Sequence, residues 1–217
     1  MQIKTPHAHP QFRVVSHPLI AHKMTLLRDK NTGKKQFSEL VNEITQIITI
    51  AATEHLELQQ KKVETPLGIF QGAELKGNKL VILPILRAGL GMAQAILALI
   101  PSAKVGHIGI FRNEKTAEPQ LYYFKVPQNS EQRRYLICDP MLATAGSAIK
   151  TIDILKERGI QDIVFMCLVA APEGVTRLAK AHPDVMIYSA ALDEKLNEQF
   201  YIYPGLGDAG DRIFGTK

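Results

Sequence analysis

Cysteine is scarce in this 217-residue sequence: Cys138 and Cys167 are the two present, each inside an apolar run. That excludes a disulfide framework and predicts buried, inert thiols in a reducing compartment. Long clean hydrophobic runs are missing too. The most apolar stretch, 80–101, is broken by Pro84, Arg87, Gly89 and Gly91, which excludes the ~20 uninterrupted apolar residues of a membrane helix. The start, MQIKTPHAHPQF, has no apolar core of a secretory signal, so a cytoplasmic protein is expected. With 46% hydrophobic and 22% charged residues, disorder is excluded for most of the chain. The net charge of +5 is local: residues 1–35 hold seven basic residues against one acid, Asp29, leaving the remainder at −1. No basic stripe interleaved with aromatics crosses that remainder, so nucleic acid is not the expected partner. A basic edge near an anionic small molecule, or at a subunit contact, accounts for the excess. HExxH and CxxC are absent and His7-x-His9 lies in the N-terminal tail, so no metal-ligating set is expected. His55 and His107 read as packed or surface residues. Gly33-Lys34-Lys35 lacks the upstream glycine and the hydroxyl of a Walker A loop.

What is present is periodicity. Phe37, Leu40, Val41, Ile44, Ile47, Ile48, Ala51, Ala52 and His55 recur at three- and four-residue spacing, predicting a helix over 34–57 with one buried face. A shorter helix is expected over 18–28. Runs at 63–66 and 68–71, split by a proline and a glycine, predict a hairpin or arm. Strands are then expected over 79–84, 105–111, 134–138, 162–170 and 185–190, with helices over 88–99, 147–158 and 173–182. This alternation predicts an α/β fold: a mainly parallel sheet flanked by helices. Ligands bind such sheets beyond the carboxyl ends of the strands, which directs attention to the loops after Leu83, Phe111, Ile137 and the last strand. The polar stretch 115–133 is either a cover over a site or an edge hairpin packed on the body; pattern favours the edge. The tail 201–217 is expected as an ordered loop. One domain spans 1–217, with a helical segment at 1–62, a core at 79–192 and a C-terminal hood at 193–217.

Three segments carry candidate chemistry. In YLICDPMLATAGSAIKTIDILKERG a strand ends at Asp139, and Thr144, Ala145, Gly146 and Ser147 open directly into a helix. Small residues, two hydroxyls and a helix N-terminus suit a monophosphate, with Asp139 placed for a sugar hydroxyl or a metal-bound water. An ordinary capped turn has the same appearance. In ILPILRAGLGMAQAI, Arg87 follows a strand, and Arg112 ends the next one on the same rim. Both suit an anion clamp, or are solvated charges at strand ends. In YIYPGLGDAGDRIFGTK, Gly205, Gly207 and Gly210 match G-x-G-x-x-G, but no strand-helix-strand unit is expected around them. A main-chain slot for a planar polar ring is the better reading, with Asp208 and Asp211 orienting the loop or a metal-bound ligand.

PILRAGLGM, CDPMLATAGSA and YPGLGDAGDRIFGTK, in that order and joined by HPL at 17–19 and by IGIFRNEKT, resemble the uracil phosphoribosyltransferases over 15–217. LATAGSA alone marks a phosphoribosyltransferase; PGLGDAGDRIFGTK points to uracil. The resemblance implies the type I phosphoribosyltransferase fold with an N-terminal helical segment, a β-arm and a C-terminal base-binding loop. It implies transfer of the phosphoribosyl group from 5-phosphoribosyl 1-diphosphate (PRPP) to N1 of uracil, giving uridine monophosphate (UMP) and pyrophosphate in pyrimidine salvage. Mg²⁺ would escort the diphosphate. PRPP would be held by Arg87, Arg112, Asp139, Pro140, Met141, Leu142, Ala143, Thr144, Ala145, Gly146, Ser147 and Asp208. Uracil would lie against Ile202, Gly207, Asp208 and Ala209, and Asp139, Arg112 and Asp208 would be catalytic. Substitution at the anomeric carbon needs no covalent enzyme intermediate, so positioning and electrostatics carry the rate. The 115–133 hairpin resembles a flexible cover that excludes water. A homodimer or higher homo-oligomer is implied, and GTP as an effector, with no residue here assigning it.

Departures from the family pattern stand at three positions. Ala145 replaces the first glycine of TGGS, costing on the order of 1 kcal/mol if the site needs positive φ. Pro140 occupies the place of a second acid, as is usual for uracil enzymes. Phe200 replaces a frequent glycine before Tyr201. The rival readings are a nucleotide- and RNA-binding regulator on the same fold, and a transferase for another base.

Overall fold

Residues 1–4, 9–77, 80–112 and 119–216 are described by the structure, a computed structural model. His7, Lys79 and 115–118 of the expected hairpin lie outside them. The chain opens with β1 (Gln2–Lys4), β2 (Phe12–Ser16), α1 (Pro18–Arg28), α2 (Lys34–Ala52), and the hairpin β3 (Leu58–Thr65) and β4 (Gly68–Leu75). The core follows as β5 (Val81–Leu86), α3 (Leu90–Leu99), β6 (Lys104–Val105), β7 (His107–Arg112), β8 (Pro119–Lys125), β9 (Tyr135–Cys138), β10 (Met141–Leu142) and α4 (Gly146–Lys156). It closes with β11 (Ile163–Ala170), α5 (Pro172–Ala181), β12 (Met186–Leu192), β13 (Lys195–Leu196), β14 (Ile202–Tyr203) and α6 (Ala209–Phe214).

The central sheet runs β1-β2-β12-β11-β9-β5-β7-β8, with β10 and β6 making short pairings to β11 and β5. From β2 to β7 every neighbour is parallel, and β1 and β8 close the edges antiparallel. The sheet divides its side chains by their period of two. Leu136, Cys138, Val164, Met166 and Leu168 join α1, α2 and α3 in one core. Tyr135, Ile137, Ile163, Phe165 and Cys167 join α4 and α5 in the other. Each buried side chain of this size contributes about 1.5–3 kcal/mol, so a strand buried on both faces is fixed in register.

Local chemistry sets the ends. Pro18 stands in the first turn of α1, and His17 Nδ1 accepts the Leu19 N–H at 3.2 Å as its cap. The second helix stops at Ala52, short of the expected 57. Thr45, Thr49 and Thr53 bond back to carbonyls four residues earlier at 2.7 Å, and the chain then turns toward β3, leaving His55 exposed. The arm is longer than the 63–66 and 68–71 runs suggest and is exposed along nearly its whole length. β1 and β2 carry no sequence signal, because QIK and FRVVS are too short to show a period. The tail is not loop alone. β14 pairs with β13, and Asp208 Oδ1 caps α6 by accepting the Asp211 N–H at 2.9 Å.

Candidate active site

Three loops converge at the carboxyl edge of the parallel strands. After β9 comes Asp139, half-buried. Its carboxyl is pushed up to about 7. Burial withholds water from the charge, the Met141 N–H offsets part of that, and Asp208 adds repulsion. Pro140 and Leu142 are buried, Leu142 with 1% of its surface exposed, so they offer the site their main chain. Thr144 then leads to Ala145, left-handed at φ 62°, and Gly146 and Ser147 open α4. First-turn N–H groups of a helix have no intrahelical partner and attract anions. Two residues absent from the expected set hold this loop. Gly174 of α5 lies so close beneath it that a Cβ would sit 2.2 Å from the Ala143 carbonyl oxygen. Arg177 Nη1 donates to the Thr144 carbonyl at 3.1 Å. Neither carries a sequence signal, since a small and a basic residue on an amphipathic helix read as its solvent face.

After β5, Arg87 is exposed, with its guanidinium 5.7 Å from the Phe214 ring centre. The peptide preceding it is cis. Gly89 is demanded by packing: a Cβ there would lie 2.3 Å from the Cys138 carbonyl oxygen, so the Arg87 turn and the Asp139 loop rest on each other. Arg112 is placed by its backbone, at the end of β7 and on the same edge. The next strand, β8, makes the edge hairpin, and its Pro119 reaches the phosphate-type loop, with Cγ 3.9 Å from where a Cβ on Gly146 would stand.

The third loop completes the site. Ile202, Gly207, Asp208 and Ala209 line a cavity of about 230 Å³ together with Ala88, Met141, Ala143, Phe200, Tyr201 and Gly210. The residues expected to hold a ring and three of those expected beside the phosphoribosyl group, Met141, Ala143 and Asp208 (which belongs to both sets), thus share one space. G-x-G-x-x-G here does open a helix, the six-residue α6, but no strand follows it. A larger cavity of about 500 Å³ lies at the opposite, amino end of the strands. Its charges are paired, Lys76 with Glu57, Arg134 with Asp162, and Glu74 with Lys61 outside the cavity.

Comparison with known proteins decides the family. The family model described as Uracil phosphoribosyltransferase matches residues 14–216. The chain belongs to the uracil phosphoribosyltransferase family. It is 57% identical over 204 residues to the uracil phosphoribosyltransferase of Listeria innocua, covering 94% of this chain and 98% of that one. With the uracil phosphoribosyltransferase of Enterococcus faecalis it shares 55% over 207 residues, 95% and 99% of the two chains. Among solved structures, the AQ2163 protein of Aquifex aeolicus superposes with a TM-score of 0.88 at 36% identity over 95% of this chain and 99% of that one. Adenine phosphoribosyl transferase of Trypanosoma brucei reaches 0.61 at 12% identity over 96% and 92%, a likeness of fold. The expected type I phosphoribosyltransferase fold is present. In this family frame the conditional attached to Ala145 is met, since the position has positive φ. Phe200 is the same case: it too is left-handed, at φ 64°. Both thiols are buried as expected, and burial pushes the Cys167 thiol up to about 12. Among the described residues no helix is long and apolar enough to cross a membrane.

Proposed function

We propose that this cavity and the Asp139 loop are the two halves of one active site, in which N1 of uracil displaces pyrophosphate from PRPP to give UMP. The observation that carries the reading is the shared cavity, where Gly207, Asp208 and Ala209 face Met141 and Ala143. In this reading one domain over 1–217 does the work. The first turn of α4, Thr144 and Ser147 hold the 5-phosphate, and Asp139 holds ribose hydroxyls. Arg87 and Arg112 neutralise the departing pyrophosphate, while the ring lies in the slot against main-chain groups and attacks the opposite face. Charge builds on the leaving group and spreads over the ribose, so fixed cations and carboxylates act where it develops.

Mg²⁺ enters with the diphosphate as part of the substrate and supplies further neutralisation there. The residues fit such an ion. Among the described residues no three His, Cys, Asp or Glu side chains converge on a resident metal. Burial, with a lesser repulsion from Asp208, holds the Asp139 carboxyl up, and an incoming cation would favour its charged form. Labelled uracil, PRPP and Mg²⁺ should give UMP at a rate that falls on the order of a hundredfold or more in Asp139→Asn and Arg112→Ala. Equal rates in wild type and both variants would contradict the assignment. Repeating the assay with GTP tests the effector implied by family resemblance, for which a change in rate or KM is the supporting result.

Self-association belongs to the same proposal. A two-stranded hairpin is marginal alone in water, yet the β3–β4 arm carries Leu67, Ile69 and Phe70 at 99%, 66% and 58% exposure. A second copy covering the arm accounts for both facts. Light scattering should find a dimer or larger assembly that Ile69→Ser with Phe70→Ser shifts toward monomer; a monomeric wild type would refute it.

A further inference from the structure

The loop that lines the slot is anchored in the core by Ile202 and Leu206, at 5% and 3% exposure, but between and after them it is glycine-rich. Gly205 and Gly207 are both left-handed, at φ 64° and 77°, and glycine gives the chain its widest conformational freedom. A second constraint, by charge, comes from outside the loop. Arg28, the last residue of α1, forks onto Asp193, the first residue after β12, with Nη1 to Oδ2 at 2.7 Å and Nη2 to Oδ1 at 2.5 Å. Asp193 is 8% exposed. The same pair grips Gly205 at both of its main-chain groups. Arg28 Nη1 donates to the Gly205 carbonyl at 2.7 Å, and Asp193 Oδ2 accepts the Gly205 N–H at 2.8 Å. Any side chain at 205 would begin 2.1 Å from the Ile202 carbonyl oxygen. Position 205 is therefore held by charge from one direction and by packing from another.

The following peptide is held in the same manner. Arg212 Nη1 donates to the Leu206 carbonyl at 2.8 Å and to the Leu27 carbonyl at 2.9 Å, and Nη2 donates to Asp29 O at 2.6 Å. Its guanidinium stacks 4.2 Å over Phe37 of α2. The N-terminal helical segment thus grips the slot loop twice, at residues more than 160 positions away in sequence.

We propose that Arg28 and Asp193 are positioning residues for the base: they line no part of the slot, yet they set its affinity for uracil. The inference rests on the reading of the cavity as the uracil slot. A slot that meets a ring through main-chain donors and acceptors depends on where its backbone is held, because hydrogen bonds weaken steeply when distance or angle drifts. Displacing Gly205 moves Gly207 to Ala209 away from the ring edge, while the phosphoribosyl half, built mainly on β9 and α4, loses only what Asp208 gives it. Lysine at 28 keeps the charge and loses the fork. Asparagine at 193 leaves Arg28 without its counter-charge.

The test is steady-state kinetics on Arg28→Lys and Asp193→Asn, with KM for uracil and for PRPP measured separately and thermal melts run alongside. The expected result is a rise of about tenfold or more in uracil KM, the loss of one charge-assisted hydrogen bond. PRPP KM should rise far less, since Asp208 is the one residue of the PRPP set that moves with the loop. Should Asp193→Asn not fold, Arg28→Lys carries the test. Folded Arg28→Lys with both KM values unchanged, or with both rising together, would overturn the proposal, because a merely structural pair lowers the melting temperature without separating the substrates. Ala209→Val, which narrows the cavity itself, distinguishes the two failures. If it raises uracil KM while Arg28→Lys does not, the slot stands and the positioning role falls. If it leaves uracil KM unchanged, both fall.

Discussion

Ala145 and Phe200 hold left-handed backbone without being glycine, one on the phosphate-type loop and the other beside the slot. Left-handed geometry costs a residue with a Cβ about 1–2 kcal/mol, partly offset because glycine loses more entropy on folding. Ala145→Gly should therefore gain about 0.5–1 kcal/mol, a rise of about 1–4 °C in melting temperature for a chain of this size; a fall would show that the Ala145 methyl, 5% exposed, contributes more by packing. Asp139 makes the opposite argument through pH. Its folded value, about 7, lies above its ordinary 3.8, so between those values the folded state binds more protons than the unfolded one. Stability contributed by the protonated carboxyl is complete below about 4 and is lost as pH rises through 7. Asp139→Asn should melt above wild type at pH 8 and level with it at pH 4, even as it loses activity. Equal melting at both pH values would refute the burial argument. The sequence marked Asp139 and Ala145 as notable; the sign of φ and the depth of the carboxyl needed the fold.

At the scale of elements, the strands and helices were legible wherever apolar residues repeat. The first helix appears at the expected 18–28, and β9 and β11 lie within a residue of 134–138 and 162–170. What could not be read was the use of polar residues. Arg28, Asp193, Arg177 and Gly174 stand at helix ends, strand ends and helix surfaces, where a charge or a small residue looks the same in solvent or in a tertiary clamp. The local excess of +6 is an example: Arg28 is spent on Asp193 in a part-buried pair, and Lys23 on Glu43 at the surface. At the loop above α5, Arg177→Ala frees the Thr144 carbonyl and should raise PRPP KM several-fold with uracil KM held, the cost of one hydrogen bond. Gly174→Ala forces a methyl into the Ala143 carbonyl and should lower the melting temperature as well. No change in PRPP KM for Arg177→Ala would remove its role in holding the loop.

Across the whole molecule, a site forms because ends distant in sequence are brought to one edge of a parallel sheet. The N-terminal segment secures the C-terminal loop, and that loop closes on the turn after β9. In the proposed function, selectivity for the base resides in the cavity of about 230 Å³, one wall of which is backbone held in place from behind. The most direct measurement is product formation from PRPP and Mg²⁺ with labelled uracil, with cytosine, orotate and hypoxanthine as competitors. UMP should form, with the competitors slowing it little. Turnover of hypoxanthine or orotate in place of uracil, or PRPP binding with no product from any base, would contradict the account.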